Sequence, residues 1–342
     1  MKNTISGIIL FAALLLLLTN CGDRKGLRDS KNGIKSHRLA FYNVENLFDL
    51  VDDPTPGDDE FTAAGKKKWD LERYQAKLSN LSKVVRAMQF PEILGVCEVE
   101  NATVLRDLAS NKVLAGHDYQ VVHFESPDYR GIDVALLYKK ASFELLASNQ
   151  IPIHFPKAIV ENYTTRDILH VRGVFLKKDT FDIFVNHWPS RRGGLKESEP
   201  KRLFVAEQLS MTMQAIQRKY PNRSFIVMGD FNDESNNNSL LTLSKNEYLD
   251  LHNCSASLDE KGMGTYNYRG SWNMLDQILV SQKLTKAGAR TQVGEQVVFR
   301  QEWLMYNDPK NGPKPNRTYG GPNYYGGYSD HLPVYVELSY SK

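Results

Sequence analysis

Cysteine is nearly absent from this chain, with three in 342 residues. A disulfide framework, which belongs to small Cys-dense domains, is therefore excluded. Cys97 lies inside an apolar, strand-like run and reads as a buried thiol, and the sequence leaves open whether it pairs with Cys254. An excess of one charge sign is lacking too: 43 Lys and Arg face 40 Asp and Glu, a formal net charge of +3. No global field then draws in a polyanion, and any such affinity must come from local clusters. No repeat is present, and no interior linker is long enough to divide the chain. The part after the leader is about twice the usual domain length, a size at which α/β enzymes often form one domain.

A membrane-spanning run is also missing. The apolar stretch Ile8–Leu18 follows Lys2 and falls short of the roughly 20 residues a span needs, so it reads as a secretory leader. Its end, Leu18-Thr19-Asn20-Cys21, resembles a bacterial lipobox, in which the Cys receives lipid and becomes the first residue. Asn20 departs from the small residue usual there, and the competing reading is an ordinary cleaved signal with an incidental Cys. The expected layout is a lipoprotein signal over residues 1–20, a polar tether over 21–36, and a single domain over 37–342. Cys21 would anchor the protein to a membrane of the bacterial cell envelope, periplasmic or cell-surface. Nothing in the sequence requires an obligate protein partner.

Segments rich in Val, Ile, Phe and Tyr predict strands over Arg38–Tyr42, Ile93–Val99, Tyr119–Phe124, Val134–Lys139, His170–Leu176, Asp182–Asn186, Ser224–Met228, Leu275–Val280 and Val334–Leu338. Lys177–Thr180 reads as a hairpin connection. Leu71, Tyr74, Leu78, Leu81, Val85 and Met88 step by threes and fours, which predicts a helix; Val205, Leu209, Met213 and Ile216 predict another, opened by Pro200. Many strands in mixed order with few helices imply two packed sheets with helices outside.

Polar residues at the strand ends carry the chemistry. Asn43 and Glu45 end the first strand, and Glu98, Glu100 and Asn101 the second. His187 ends a third, and Asp230 and Asn232 a fourth; Asp276 opens a fifth, and Asp330-His331 precedes the last. Singly each has a plain explanation, since Asp and Asn favour turns and an Asp-His pair can sit on a surface. Six such sites in one chain are a different matter.

The series Asn43, Glu98, His187, Asp230/Asn232, Asp276 and Asp330/His331, with Gly-Asp-Phe-Asn and a C-terminal Ser-Asp-His, resembles the full motif set of the endonuclease/exonuclease/phosphatase superfamily. The match runs from about Leu39 to Val336. It implies a four-layer α/β/β/α sandwich of two mixed sheets flanked by helices, with the site at one rim. It also implies a Mg²⁺-dependent phosphodiesterase, Mn²⁺ being an alternative ion. A hard cation with one or two carboxylates suits phosphoryl transfer. By this resemblance Glu98 is the main metal ligand, with Asn43, Glu45 and Asp330 around it. Asp230 activates or orients water, Asn232 positions water or phosphate, and His331 pairs with Asp276, which favours a charged imidazolium; whether Asp230 or His331 takes the water's proton stays open. His187 is a second proton donor or phosphate ligand. Glu100, two residues on from Glu98 and so on the same strand face, competes for the metal role.

Arg130, Arg166, Arg191 and Arg192 flank the motif strands, and arginine's planar fork suits phosphate. Tyr319, Tyr324, Tyr325 and Tyr328 lie among glycines just before Asp330, where exposed tyrosines would stack on bases or else pack the loop onto the body. Glu98-Val99-Glu100-Asn101 and Asp133–Tyr138 resemble the extracellular-nuclease branch, so nucleic acid is the expected substrate. The alternatives are a phosphoesterase for inositol phosphates or sphingomyelin, and a non-catalytic binding lipoprotein. The sphingomyelinase variant predicts an exposed apolar hairpin, which is not found outside the strands. The binding-protein reading predicts loss of a key residue, and none is missing.

Overall fold

Alternation of side chains along the central strands decides the architecture. In strand β1 (Ser36–Leu47), Leu39 and Phe41 enter one apolar core while Ala40, Tyr42 and Val44 enter another, as a two-residue side-chain period requires. A strand buried on both faces has to lie in a middle layer. The computed structural model of the protein describes residues 36–54 and 57–340. The leader, Cys21 and all but the last residue of the expected tether lie outside them.

β1 pairs in parallel with β2 (Ile93–Val99) and antiparallel with β19 (Val334–Tyr340). β4 (Asp133–Lys139), β3 (Tyr119–His123), β13 (Thr291–Val293) and the short β14 (Val297–Val298) complete a seven-stranded sheet. The second sheet has six strands in the order β5 (Phe143–Ile151), β6 (Ile168–Phe175), β7 (Asp179–His187), β8 (Ser224–Asp230), β12 (Asp276–Ser281) and β9 (Leu251–Asn253). Among the described residues three hairpins stand outside the sheets: β10 (Tyr266–Tyr268) with β11 (Ser271–Asn273), β15 (Met305–Asp308) with β16 (Gly312–Pro315), and β17 (Tyr319–Gly320) with β18 (Asn323–Tyr324).

Between the sheets, Phe41, Val134, Leu136, Ile183, Val185, Ile226, Met228, Ile278 and Val336 form one core. At Gly95 of β2 the two sheets approach closely: a Cβ there would lie 2.6 Å from the Met228 sulfur. Cys97 and Cys254 are both buried here as free thiols, which settles the pairing question.

Helices close the outer faces. α1 (Leu71–Ala87) is capped by Asp70, whose side chain accepts from the Arg73 N–H at 3.0 Å. It buries Tyr74, Leu78, Leu81 and Val85 against the first sheet, beside α2 (Ala102–Ser110). α3 (Leu195–Lys219) and α4 (Asn238–Ser244) cover the second sheet through Val205, Leu209, Met213, Leu240 and Leu243. The order is the expected α/β/β/α sandwich.

Two expectations shift. Pro200 lies inside α3 rather than at its start, because Gly193 and Gly194, both at positive φ, already turn the chain into the helix at Leu195. The β6–β7 hairpin turns at Leu176 and Lys177, with φ of 49° and 56°, the left-handed pair that matches strand twist. Topology then gathers the chemistry. β1 and β2 end together, β7 and β8 end together, and Asp276 at the start of β12 pairs with Asp230.

Candidate active site

Backbone irregularities at the strand ends aim the side chains. Glu45, Asn46, Glu98 and Asn232 have φ between 50° and 61°, a left-handed conformation that non-glycine residues adopt at a cost and that clusters at functional sites. The β1–β2 register shifts between Asn43 and Leu47, and the β2–β4 register between Cys97 and Val99. Glu98 is thus a bulge residue, and a bulge re-aims its side chain. This corrects the same-face expectation for Glu98 and Glu100. Glu98 Oε1 accepts from Asn43 Nδ2 at 3.3 Å and Oε2 from the Asn46 N–H at 3.1 Å. Glu100 instead accepts from the Asp49 N–H at 2.6 Å, in a separate cluster.

Around Asp230 the remaining groups converge. Its Oδ2 accepts from Asn43 Nδ2 at 3.1 Å and lies 3.6 Å from His187 Nε2 and 3.8 Å from His331 Nε2. His187 Nε2 is also 4.0 Å from Glu98 Oε1. His331 Nδ1 meets Asp276 Oδ2 at 2.6 Å. Ser329 holds this arrangement: its hydroxyl donates to the Asn43 carbonyl at 2.6 Å and accepts from the His331 N–H at 3.1 Å. The Tyr266 ring lies 4.9 Å from the His331 ring, and Thr265 Oγ1 accepts from the Asp276 N–H at 3.1 Å.

The electrostatics divide the roles. Burial pushes Asp230 up to about 7, against the opposing pull of His331. For His331, burial opposes the charged ring, but Asp276 and Asp230 outweigh it and hold the imidazole well above its ordinary value. His187 is held well below its ordinary value by burial, with Arg166, Arg130 and His331 adding like charge. One histidine is therefore cationic near neutrality and the other neutral.

Several expected site residues turn out to be fixed elsewhere. Glu45 is buried with both oxygens engaged: Oε2 accepts from the Thr318 N–H at 2.6 Å, and Oε1 from the Tyr319 N–H at 3.2 Å and Arg317 Nε at 3.4 Å. Asn43 Oδ1 accepts from the Glu45 N–H at 3.0 Å, so Asn43 serves the two carboxylates as a donor. Asn232 anchors Asp230 through its backbone N–H at 3.0 Å, while its Nδ2 donates to the Trp188 carbonyl at 3.1 Å. Arg166 is buried and donates to the carbonyls of His187 and Trp188 and to Asp128 Oδ2, at 3.1, 2.6 and 2.9 Å. It braces the end of β7 instead of reaching for substrate. Arg191 donates to the Asn232 carbonyl at 2.7 Å and holds that turn. Arg130 is partly exposed beside Asp128, close enough to feel the charge of Glu98.

Three of the four loop tyrosines pack onto the body, against the stacking expectation. Tyr319 is buried against Phe61 and Tyr324, and Tyr328 meets Trp303 at 5.0 Å. Tyr325 is 60% exposed. Two cations that sequence reasoning missed secure this loop. Arg317 Nη2 donates to Asp330 Oδ2 at 2.9 Å. Lys77, pushed down to about 8 by burial, donates to Thr318 Oγ1 at 2.6 Å and the Tyr328 carbonyl at 2.7 Å. Neither belongs to a strand-end motif, so no local signal marked them.

A divalent metal fits the donor set. Glu98 retains 15% side-chain exposure, and its carboxylate oxygens suit a hard cation; Asp330, 19% exposed, is paired with Arg317. Cys97, Asp276 and His331 are also near Asp230. The Cys97 thiol, though, is kept protonated by burial, and Asp276 and His331 are bonded to each other.

Comparison with known proteins bears on the fold and the family. The sequence model of the Endonuclease/Exonuclease/phosphatase family matches residues 38–340. No curated protein is matched. Among solved structures, the human Nocturnin catalytic domain with bound sulfate is 18% identical over 90% of this chain and 95% of its own, with a TM-score of 0.56. A Bacteroides thetaiotaomicron mannosyl-6-phosphatase is 19% identical over 88% and 99%, with a TM-score of 0.54. D. rerio TDP2 complexed with a single-strand DNA product is 13% identical over 89% and 98%, with a TM-score of 0.54. At these identities the structural likeness speaks for the fold, and the family match spans nearly all the described residues. The chain belongs to the endonuclease/exonuclease/phosphatase family.

Proposed function

We propose that this protein is a Mg²⁺-dependent phosphodiesterase that cleaves nucleic acid. The observation that carries hydrolysis is the Asp276–His331 pair at 2.6 Å facing buried Asp230, with Glu98 alongside. Glu98 would hold the divalent ion, which when bound neutralises phosphoryl oxygens. His331, already protonated, cannot take a proton from water, so Asp230 is the base or orienting group. The imidazolium of His331 opposes the charge that develops on the phosphoryl group. Neutral His187, at the end of the neighbouring strand β7, would donate a hydrogen bond to the phosphoryl group.

Exposed aromatics paired with cations favour a nucleic-acid substrate. Tyr129 and Tyr268 are 55% and 54% exposed, each with an arginine over its ring, Arg130 and Arg269. Tyr268 ends the β10 strand whose Tyr266 touches His331. Bases stack on such rings while cations track the backbone. The test is the purified protein with Mg²⁺ against DNA, RNA, sugar phosphates, inositol phosphates and sphingomyelin side by side. Turnover of only a small phosphate or lipid would overturn the nuclease reading. We also propose that Cys21 carries a lipid anchor, placing the enzyme in the cell envelope; the lipobox-like Leu18–Cys21 stretch supports this.

A further inference from the structure

A second set of carboxylates gathers beside the loop that leaves β1, outside the hydrolytic site. Asp53, Asp58 and Glu100 bring ligand oxygens within 4.8 Å of one another. Asp49 adjoins them, its N–H donating to Glu100 Oε2 and its Oδ2 accepting from Asn101 Nδ2 at 2.9 Å. Asp58 and Glu100 are 2% and 4% exposed. Among the described residues no Lys, Arg or His forms an ion pair with any of the four. Asp58 Oδ2 accepts from the Asp53 N–H at 3.2 Å, whereas Asp58 Oδ1 is buried without a hydrogen-bond partner.

Buried carboxylates without a counter-charge are costly. A cation resolves both the crowding and the orphaned oxygen. We propose that Asp53, Asp58 and Glu100, with Asp49 beside them, form a second divalent-cation site that takes calcium. Oxygens bound to one calcium at 2.3–2.6 Å lie no more than about 5 Å apart, which matches the observed spacing. Calcium accepts several carboxylates in irregular geometry, whereas magnesium usually keeps its waters and uses one or two.

The ion would fasten Asp53 and Asp58 to the end of β2. Gly57, beside Asp58, also reaches the rim: its N–H donates to the Tyr129 carbonyl at 2.9 Å, next to Arg130. The site is therefore a brace for the Glu98 side of the catalytic rim, and it stands independently of which phosphoester is cleaved.

The test is calcium binding to the purified protein, stripped with chelator and carrying Glu98→Gln to weaken the catalytic metal site. Calorimetric titration with calcium chloride should show one ion per chain. At about 100 times Kd, calcium should raise the melting temperature by about 5 °C. Adding Asp58→Asn or Glu100→Gln should abolish both effects. Without metal these isosteric variants should melt no lower than the parent, because each relieves the crowding of buried carboxyl groups. A calcium response absent in Glu98→Gln, or undiminished by both further substitutions, would overturn the proposal.

Discussion

Replacing Asp276 by Asn is the most direct probe of the catalytic pair. Asp276 is fully buried and His331 is 7% exposed, so little solvent screens their contact at 2.6 Å. The amide keeps the shape and removes the charge. His331 then loses its main stabilising neighbour while burial still opposes its cationic form, and its pKa falls. Turnover should drop by about 10²–10⁴-fold, the range for an acid–base group, or about 2.7–5.4 kcal/mol of transition-state stabilisation. The alkaline limb of the kcat–pH profile should move to lower pH. Stability follows the same sign. In the wild type the folded pKa exceeds the unfolded value of about 6.5, so the pair's stabilisation is complete below that pH and is lost as pH rises through the folded pKa. The variant should lack this pH-dependent contribution. His331→Ala should cost at least as much turnover, and the double variant far less than the product of the two, since the residues act as one unit. Steady-state kinetics and thermal melts of the three variants decide it. Strictly multiplicative losses, or near-normal turnover in His331→Ala, would refute the reasoning.

Chelator should abolish hydrolysis and Mg²⁺ or Mn²⁺ restore it; full activity in excess chelator, with no metal carried over, rules out the metal mechanism. Cys21→Ser should lose the fatty-acid label that metabolic labelling puts on the wild type, and an unlabelled, soluble wild type ends the anchor proposal. Arg166→Ala should destabilise the fold by about 3 kcal/mol, because it removes the buried donor to the His187 and Trp188 carbonyls and to Asp128 Oδ2, and chemical denaturation measures this. A variant of unchanged stability would show that the arginine is no brace. Tyr268→Ala should raise KM for a nucleic-acid substrate several-fold with kcat little changed, and an unchanged KM would remove Tyr268 from the binding surface.

The layers were legible because apolar runs with strand and helix periods persist along β1, β2, β8 and α1. β5 was not, since its Glu144–Ile151 stretch is largely exposed or half-exposed and carries no buried alternation. α2 is only nine residues long, and its signal was the Asn101 cap, whose Oδ1 accepts from the Thr103 and Val104 N–H groups. That Asn was assigned instead to the strand-end motif. Turn-sized hairpins such as β15–β16 have too few residues for any period to show.

Site residues were legible as chemical types and not as partners. Arg166 and Arg130 look alike in sequence; burial alone makes one a brace and leaves the other near Glu98. Glu45 meets Arg317 across 272 residues, a contact that no local pattern encodes. Glu98 and Glu100 show the limit most sharply. A strand period of two puts both on one face, and the bulge at Glu98, with its φ of 61°, breaks that period by one residue. The same irregularity turns Glu98 toward Asn43 and frees Glu100 to join Asp53 and Asp58. One backbone distortion thus divides a Glu-Val-Glu triplet between a catalytic rim and a separate acidic cluster, and only the three-dimensional register reveals the division.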